Sequence, residues 1–96
     1  MRIALKKFGT TLTSRELGRE AFLAFQPTLE SVSADEIIEV DFTGVKVFSP
    51  SWGDEMLEGL EEKFPGRVVL YNTDNLSVKE SLELLEKEHG RKFRLA

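Results

Sequence analysis

Residues 36–42 read Glu-Ile-Ile-Glu-Val-Asp-Phe, and residues 43–51 continue Thr-Gly-Val-Lys-Val-Phe-Ser-Pro-Ser. The first stretch is short, apolar and β-branched, which predicts a buried central strand. Thr43-Gly44 interrupts it, and Val45 to Phe48 leads into Ser49-Pro50-Ser51. Serine is a strong helix N-cap, and proline suits the first helical position because its missing N–H is unused there. Ser49 is therefore expected to cap a helix that starts at Pro50. Met56, Leu57, Leu60 and Phe64 recur at helical spacing and give that helix one inward stripe. Pro65-Gly66 stops it.

The same alternation extends to both sides. Upstream, Arg2 to Phe8 begins with period two at Ile3 and Leu5 and reads as a first strand. Gly9-Thr10-Thr11 is a turn. Thr13 stands three residues before Glu16, a capping-box spacing that opens a helix. Leu17, Ala21, Ala24 and Phe25 form its expected apolar face, widened by Phe22 and Leu23. Pro27 is expected to end or kink it. Downstream, Arg67 to Tyr71 reads as a third strand and Asn72 to Leu76 as a loop. Ser77 and Glu80 have the spacing of a second capping box. Val78, Leu82 and Leu85 make the inward line of the last helix, and Gly90 closes it as a C-cap. Arg91 to Leu95 alternates and predicts a possible short C-terminal strand. The fold class is α/β: one domain over residues 1–96, ordered βαβαβα, with helices covering the sheet through right-handed crossovers.

Composition narrows the function classes. An apolar fraction of 41% with 31% charged residues suits a globular chain and not a disordered one. The absence of cysteine removes disulfides, zinc-thiolate sites and thiol nucleophiles. The N-terminus has no long apolar core and no small-residue cleavage site, so no signal peptide is expected. No run approaches the ~20 apolar residues of a membrane span. A net charge of -4 argues against a general nucleic-acid binder. A cytoplasmic protein is expected.

The segment Asp41-Phe-Thr-Gly-Val-Lys-Val-Phe-Ser-Pro-Ser-Trp-Gly-Asp-Glu55 resembles a STAS-like family of uncharacterised function in bacteria and archaea. There a strand ends in Asp-Phe-x-Gly-Val, and a Ser-Pro-Ser-aromatic turn leads to an Asp-Glu pair at a helix start. Ser14-Arg15 is similar to a second, weaker part of the pattern. More distantly the segment resembles anti-anti-sigma, or STAS, domains. In those an apolar strand runs into Asp-Ser-Ser-Gly at a helix N-terminus, and one serine is phosphorylated by a partner kinase. That serine corresponds to Ser51; Ser49 stands where those domains carry the aspartate, and Pro50 at the first serine. The resemblance implies a regulatory protein whose partner is a kinase-like ATPase or an anti-sigma-type regulator.

Each candidate residue has a plain alternative. Helical residues advance ~100° each, which turns Ser51 away from the apolar stripe, with Glu55, Glu58 and Glu62 on the same outward side. A phosphate on Ser51 would meet the free N–H groups of the helix N-terminus; the alternative is an ordinary first-turn serine. Asp54 and Glu55 are adjacent, so their carboxylates are expected to diverge and not to act together as an acid/base pair. With Glu58, Glu61 and Glu62 they would form an acidic outer face able to steer a basic partner. Trp52 falls on the helix flank, either at the core edge or as a partly exposed anchor. Arg15 and Arg19 lie one turn apart and suit a phosphate or a partner's carboxylate, or plain solvation. His89 is expected as a half-buried residue at a helix end and not as a base or metal ligand. The tail Arg91-Lys92-Arg94 is too short to indicate nucleic-acid binding. No phosphate loop, dinucleotide glycine pattern or metal motif is present, and no cofactor or metal is expected. The predicted partner-binding residues are Ser51, Trp52, Asp54, Glu55, Glu58 and Arg15, with Ser51 the phosphorylation candidate. The expected function is protein binding in a signalling or transcription-control partner switch, without catalysis. The alternative is a small-anion or nucleotide sensor using the helix N-terminus near Ser51.

Overall fold

The computed structural model describes all residues, Met1–Ala96. Four parallel strands form the main sheet: β1 (Arg2–Ala4), β3 (Ile38–Asp41), β5 (Val68–Tyr71) and β6 (Arg94–Leu95). Their spatial order is β1-β3-β5-β6. A second, two-stranded parallel sheet pairs β2 (Thr11–Leu12) with β4 (Val47–Phe48). The connections carry α1 (Arg15–Leu29), α2 (Pro50–Lys63) and α3 (Leu76–His89). The class is α/β, with β3 inside the main sheet, as its β-branched run predicts, though the strand covers only Ile38–Asp41 of the expected 36–42.

Strand order explains which face is covered. The sheet grows steadily in one direction, so right-handed crossovers stack every helix on the same side. The burial alternation agrees. Ile3, Ile38, Val40, Val68 and Leu70 are buried, whereas Arg2, Glu39, Asp41, Val69 and Tyr71 are not. Parallel sheets usually have both faces covered; here the open face is polar. Arg2 reaches Glu39 at 3.5 Å and Asp41 at 3.3 Å, and its guanidinium lies 4.8 Å from the centroid of the Tyr71 ring. The Tyr71 hydroxyl donates to Glu39 at 3.1 Å.

Several local readings change. The first strand stops at Ala4, and Leu5–Phe8 forms a 3-10 turn. That turn sets Phe8 edge-on to Phe25 at 5.9 Å and beside Trp52 at 6.0 Å. Thr11 belongs to β2 and not to a turn. Ser14, not Thr13, caps α1, accepting from the Leu17 N–H. α1 also runs through Pro27 to Leu29. Pro27 forfeits its own bond to the Leu23 carbonyl, and the helix ends two residues later. The Glu30 N–H still reaches the Gln26 carbonyl at 3.2 Å, and Leu29 is fully buried. The inward face of α1 is rotated from the expected one. Leu17 is 59% exposed, and the buried line is Gly18, Phe25 and Leu29. Gly18 is the reason: a Cβ there would lie 2.8 Å from the Trp52 carbonyl oxygen, so α1 approaches α2 backbone to backbone.

Helix α2 follows its prediction. Ser49 caps it by accepting from the Trp52 N–H, Pro50 is its first residue, and Met56, Leu57, Leu60 and Phe64 are buried. α3 is capped by Asn75 and not by Ser77. The Ser77 hydroxyl is used elsewhere: it accepts from the Phe48 N–H and donates to the Phe48 carbonyl, which also accepts from Ser81. Gly90 terminates α3 in the left-handed conformation. No helix is long and apolar enough to cross a membrane.

Candidate functional site

The start of α2 lies beside the start of α1. β2 and β4 pair immediately before the two helices, and the Ser49 hydroxyl donates to the Thr13 carbonyl at 2.7 Å. The caps Ser14 and Ser49 are thereby held on one flank, and Arg15 and Ser51 follow them directly. Ser51 is half-buried in the first turn of α2. In that turn the backbone N–H groups have no intrahelical partners and the helix dipole is positive.

The other predicted contact residues are placed differently. Trp52 is 2% exposed and packs against Phe8 and Phe48. It is a core residue and leaves the contact surface, because α1 crosses directly over it at Gly18. Asp54 and Glu55 do not diverge. Both carboxylates meet Arg15 Nη1, at 2.9 and 2.8 Å. The ~100° step separates their Cβ atoms, but the side chains are long enough to converge on a cation reaching over from α1. Arg19 Nε adds a contact to Glu55 at 3.7 Å. Glu58 does not face outward; it is 8% exposed and pairs with Arg91, just beyond α3. Glu62 alone of the outward row is exposed.

The acids of α2 therefore form an internal ionic seam and not an open acidic face. α1 supplies Arg15 and Arg19, and the end of α3 supplies His89 and Arg91. His89 Nε2 is 2.8 Å from Asp54 Oδ1, and Nδ1 is 3.9 Å from Glu58 Oε1. Burial pushes the Asp54 carboxyl up, but hydrogen bonds from Arg15 and His89 outweigh it and hold the group below the usual aspartate value. Hydrogen bonds to Asp54 and Glu55 in turn raise the Arg15 guanidinium.

Asp41, the last residue of β3, has a structural task. Its Oδ1 accepts from the Asn72 amide at 2.8 Å and from the Thr43 backbone and hydroxyl at 3.0 and 2.7 Å. These bonds tie together the ends of β3 and β5 and lower the Asp41 pKa well below the usual range, led by the bond from Asn72. Asn72 holds a positive φ of 58° to do so, a conformation asparagine tolerates better than most residues.

Sequence reading missed Gly18, His89 and Arg91 as parts of this region. Gly18 has no side chain to count in a periodicity. His89 and Arg91 reach Asp54 and Glu58 only through the packing of α3 on α2. The signal available was charge: a helix with five acids from Asp54 to Glu62 needs cations from its neighbours if it is packed on both sides. A groove of about 660 Å³ between α3 and β6 includes Lys79, Lys87, Arg91 and Lys92 but none of the predicted contact residues. The chain matches no known protein family, no curated protein and no solved structure.

Proposed function

We propose that the chain is a protein-binding regulatory module of the STAS-like type, acting in a signalling or transcription-control partner switch without catalysing a reaction. The observation that carries this is the pairing of the two helix starts by the Ser49–Thr13 bond, which presents Ser51 and Arg15 together on one flank. Arg15 is 47% exposed there, so the flank offers a partner both a hydroxyl and a cation. A phosphate on Ser51 would add about -1.5 to -2 charges. It would lie one helical turn from Glu55 and compete with Asp54 and Glu55 for the Arg15 guanidinium. An interface formed over the neutral hydroxyl would then have to desolvate a dianion. The partner implied by the resemblance is a kinase-like ATPase or an anti-sigma-type regulator.

Capture of binding proteins from the native cell on the wild-type chain and on Ser51→Asp tests the proposal. The expected result is a kinase-like or anti-sigma-type protein retained by the wild type and depleted on the variant. Equal recovery on both, or no protein specific to the wild type, contradicts it. Thermal stabilisation by inorganic phosphate, lost in Ser51→Asp, would instead support the anion-sensor reading, since a ligand at a hundred times its Kd adds about 2.7 kcal/mol.

A further inference from the structure

We propose that Asp54, Glu88 and His89 form a binding site for a divalent first-row transition ion, Zn²⁺ by preference, which clasps the end of α3 to α2. The donor atoms of these three side chains all lie within 4.8 Å of one another. His89 Nε2 and Asp54 Oδ1 already approach to 2.8 Å. An ion at the usual Zn–N and Zn–O distances in tetrahedral geometry needs those two atoms roughly 3.3 Å apart. Small side-chain rotations of partly exposed residues supply the difference.

One of the three ligands is oriented from behind. Asp54 Oδ2 accepts from Arg15 Nη1 at 2.9 Å, while Oδ1 is paired with His89 Nε2, so the ion would enter between those two atoms in place of their bond and release the bridging proton. His89 Nδ1 lies 3.9 Å from Glu58 Oε1, too far for a direct hydrogen bond, so the imidazole is placed by its Nε2 contact to Asp54. The local charge is also suitable. Asp54, Glu55, Glu58 and Glu88 face Arg15, Arg19 and Arg91. With the imidazole neutral, one negative charge is in excess. One imidazole nitrogen and two carboxylate oxygens suit Zn²⁺ with water in the fourth position. Mg²⁺ and Ca²⁺ prefer six or more oxygens. Motif spacing cannot reveal this site, because Asp54 comes from the second turn of α2 and Glu88 and His89 from the last turn of α3.

Calorimetric titration of the full chain with ZnCl₂, and separately with MgCl₂, tests the proposal. The expected result is one equivalent of Zn²⁺ bound, with Mg²⁺ at least a hundredfold weaker. Melting should shift upward by roughly 10–20 °C when free Zn²⁺ exceeds its Kd a hundredfold. His89→Ala should abolish binding, and Glu88→Gln should weaken it about tenfold or more. Glu88 is exposed, so its variant remains informative if the histidine variant misfolds. No binding heat, Mg²⁺ binding as tight as Zn²⁺ (attraction to surface charge only), or unchanged Zn²⁺ affinity in either variant overturns the site.

Discussion

The two seams of α2 use the same materials at different depths. Toward α1, Gly18 and Gly59 admit close packing, and Arg15 and Arg19 cross to Asp54 and Glu55 with 47% and 57% of their side chains exposed. Toward α3, Gly53 lies under Phe48 and Leu85, and Glu58 pairs with Arg91 with only 11% of its side chain exposed. Exposed ion pairs contribute little to stability, whereas removing one partner of a buried pair strands a charge. Like for like, the α3 pair is the deeper: Glu58 and Arg91 are 11% and 39% exposed, against 25% and 47% for Glu55 and Arg15. The α1 seam is the more exposed of the two.

The largest expected effect lies in the floor common to both seams. Leu60 is fully buried, so Leu60→Ala should cost about 2–5 kcal/mol in urea unfolding. A loss under about 0.5 kcal/mol, the size of a surface effect, would mean that α2 is not on the core. The comparison itself is tested by Arg91→Ala, which leaves the Glu58 carboxylate without its pair and should cost about 1–3 kcal/mol. Arg15→Ala should cost clearly less; equal losses would erase the distinction between the seams. Gly18→Ala places a Cβ 2.8 Å from the Trp52 carbonyl. Overpacking of this kind costs about 1–3 kcal/mol, of which up to about 1 kcal/mol is offset by better helix propensity.

A smaller effect appears in acid. The folded Asp54 pKa is depressed below the ordinary 3.8. Its contribution is therefore complete above the unfolded value and is lost as pH falls through the lower folded one. Asp41 is depressed in the same sense. Melting temperatures of wild type and Asp54→Asn should therefore converge as pH falls below about 4. A constant difference down to pH 2 would show that the Asp54 carboxylate contributes nothing through its charge.

Local chemistry was legible where one residue has one task. Ser49-Pro50 predicts the start of α2 because cap and first-turn proline act on their own backbone, and Met56, Leu57, Leu60 and Phe64 pack as their spacing requires. Ser77 misled because its hydroxyl bonds to Phe48, a partner far away in sequence, which leaves capping to Asn75. Leu17 misled because the helix interface is set by the absence of a side chain at Gly18. Asp54, Glu55 and Glu58 were read as part of an outward acidic face from one helix in isolation. With α1 on one side and α3 on the other, that helix has little free face. Arg15 stays exposed and Ser51 half-buried because they sit at the ends, where the neighbouring helix has only begun.

Ser51 is the residue on which the proposed function rests, and the affinity of the captured partner for three forms of the chain tests it most directly. Aspartate in a first helical turn is locally favourable, so Ser51→Asp should keep the wild-type circular dichroism and melting curve. Its affinity should nevertheless fall by roughly tenfold or more, because like charges brought together in an interface cost kilocalories. Ser51→Ala should bind about as well as the wild type. A folded Ser51→Asp that binds the partner with unchanged affinity would contradict the account and leave Ser51 as a helix-start residue only.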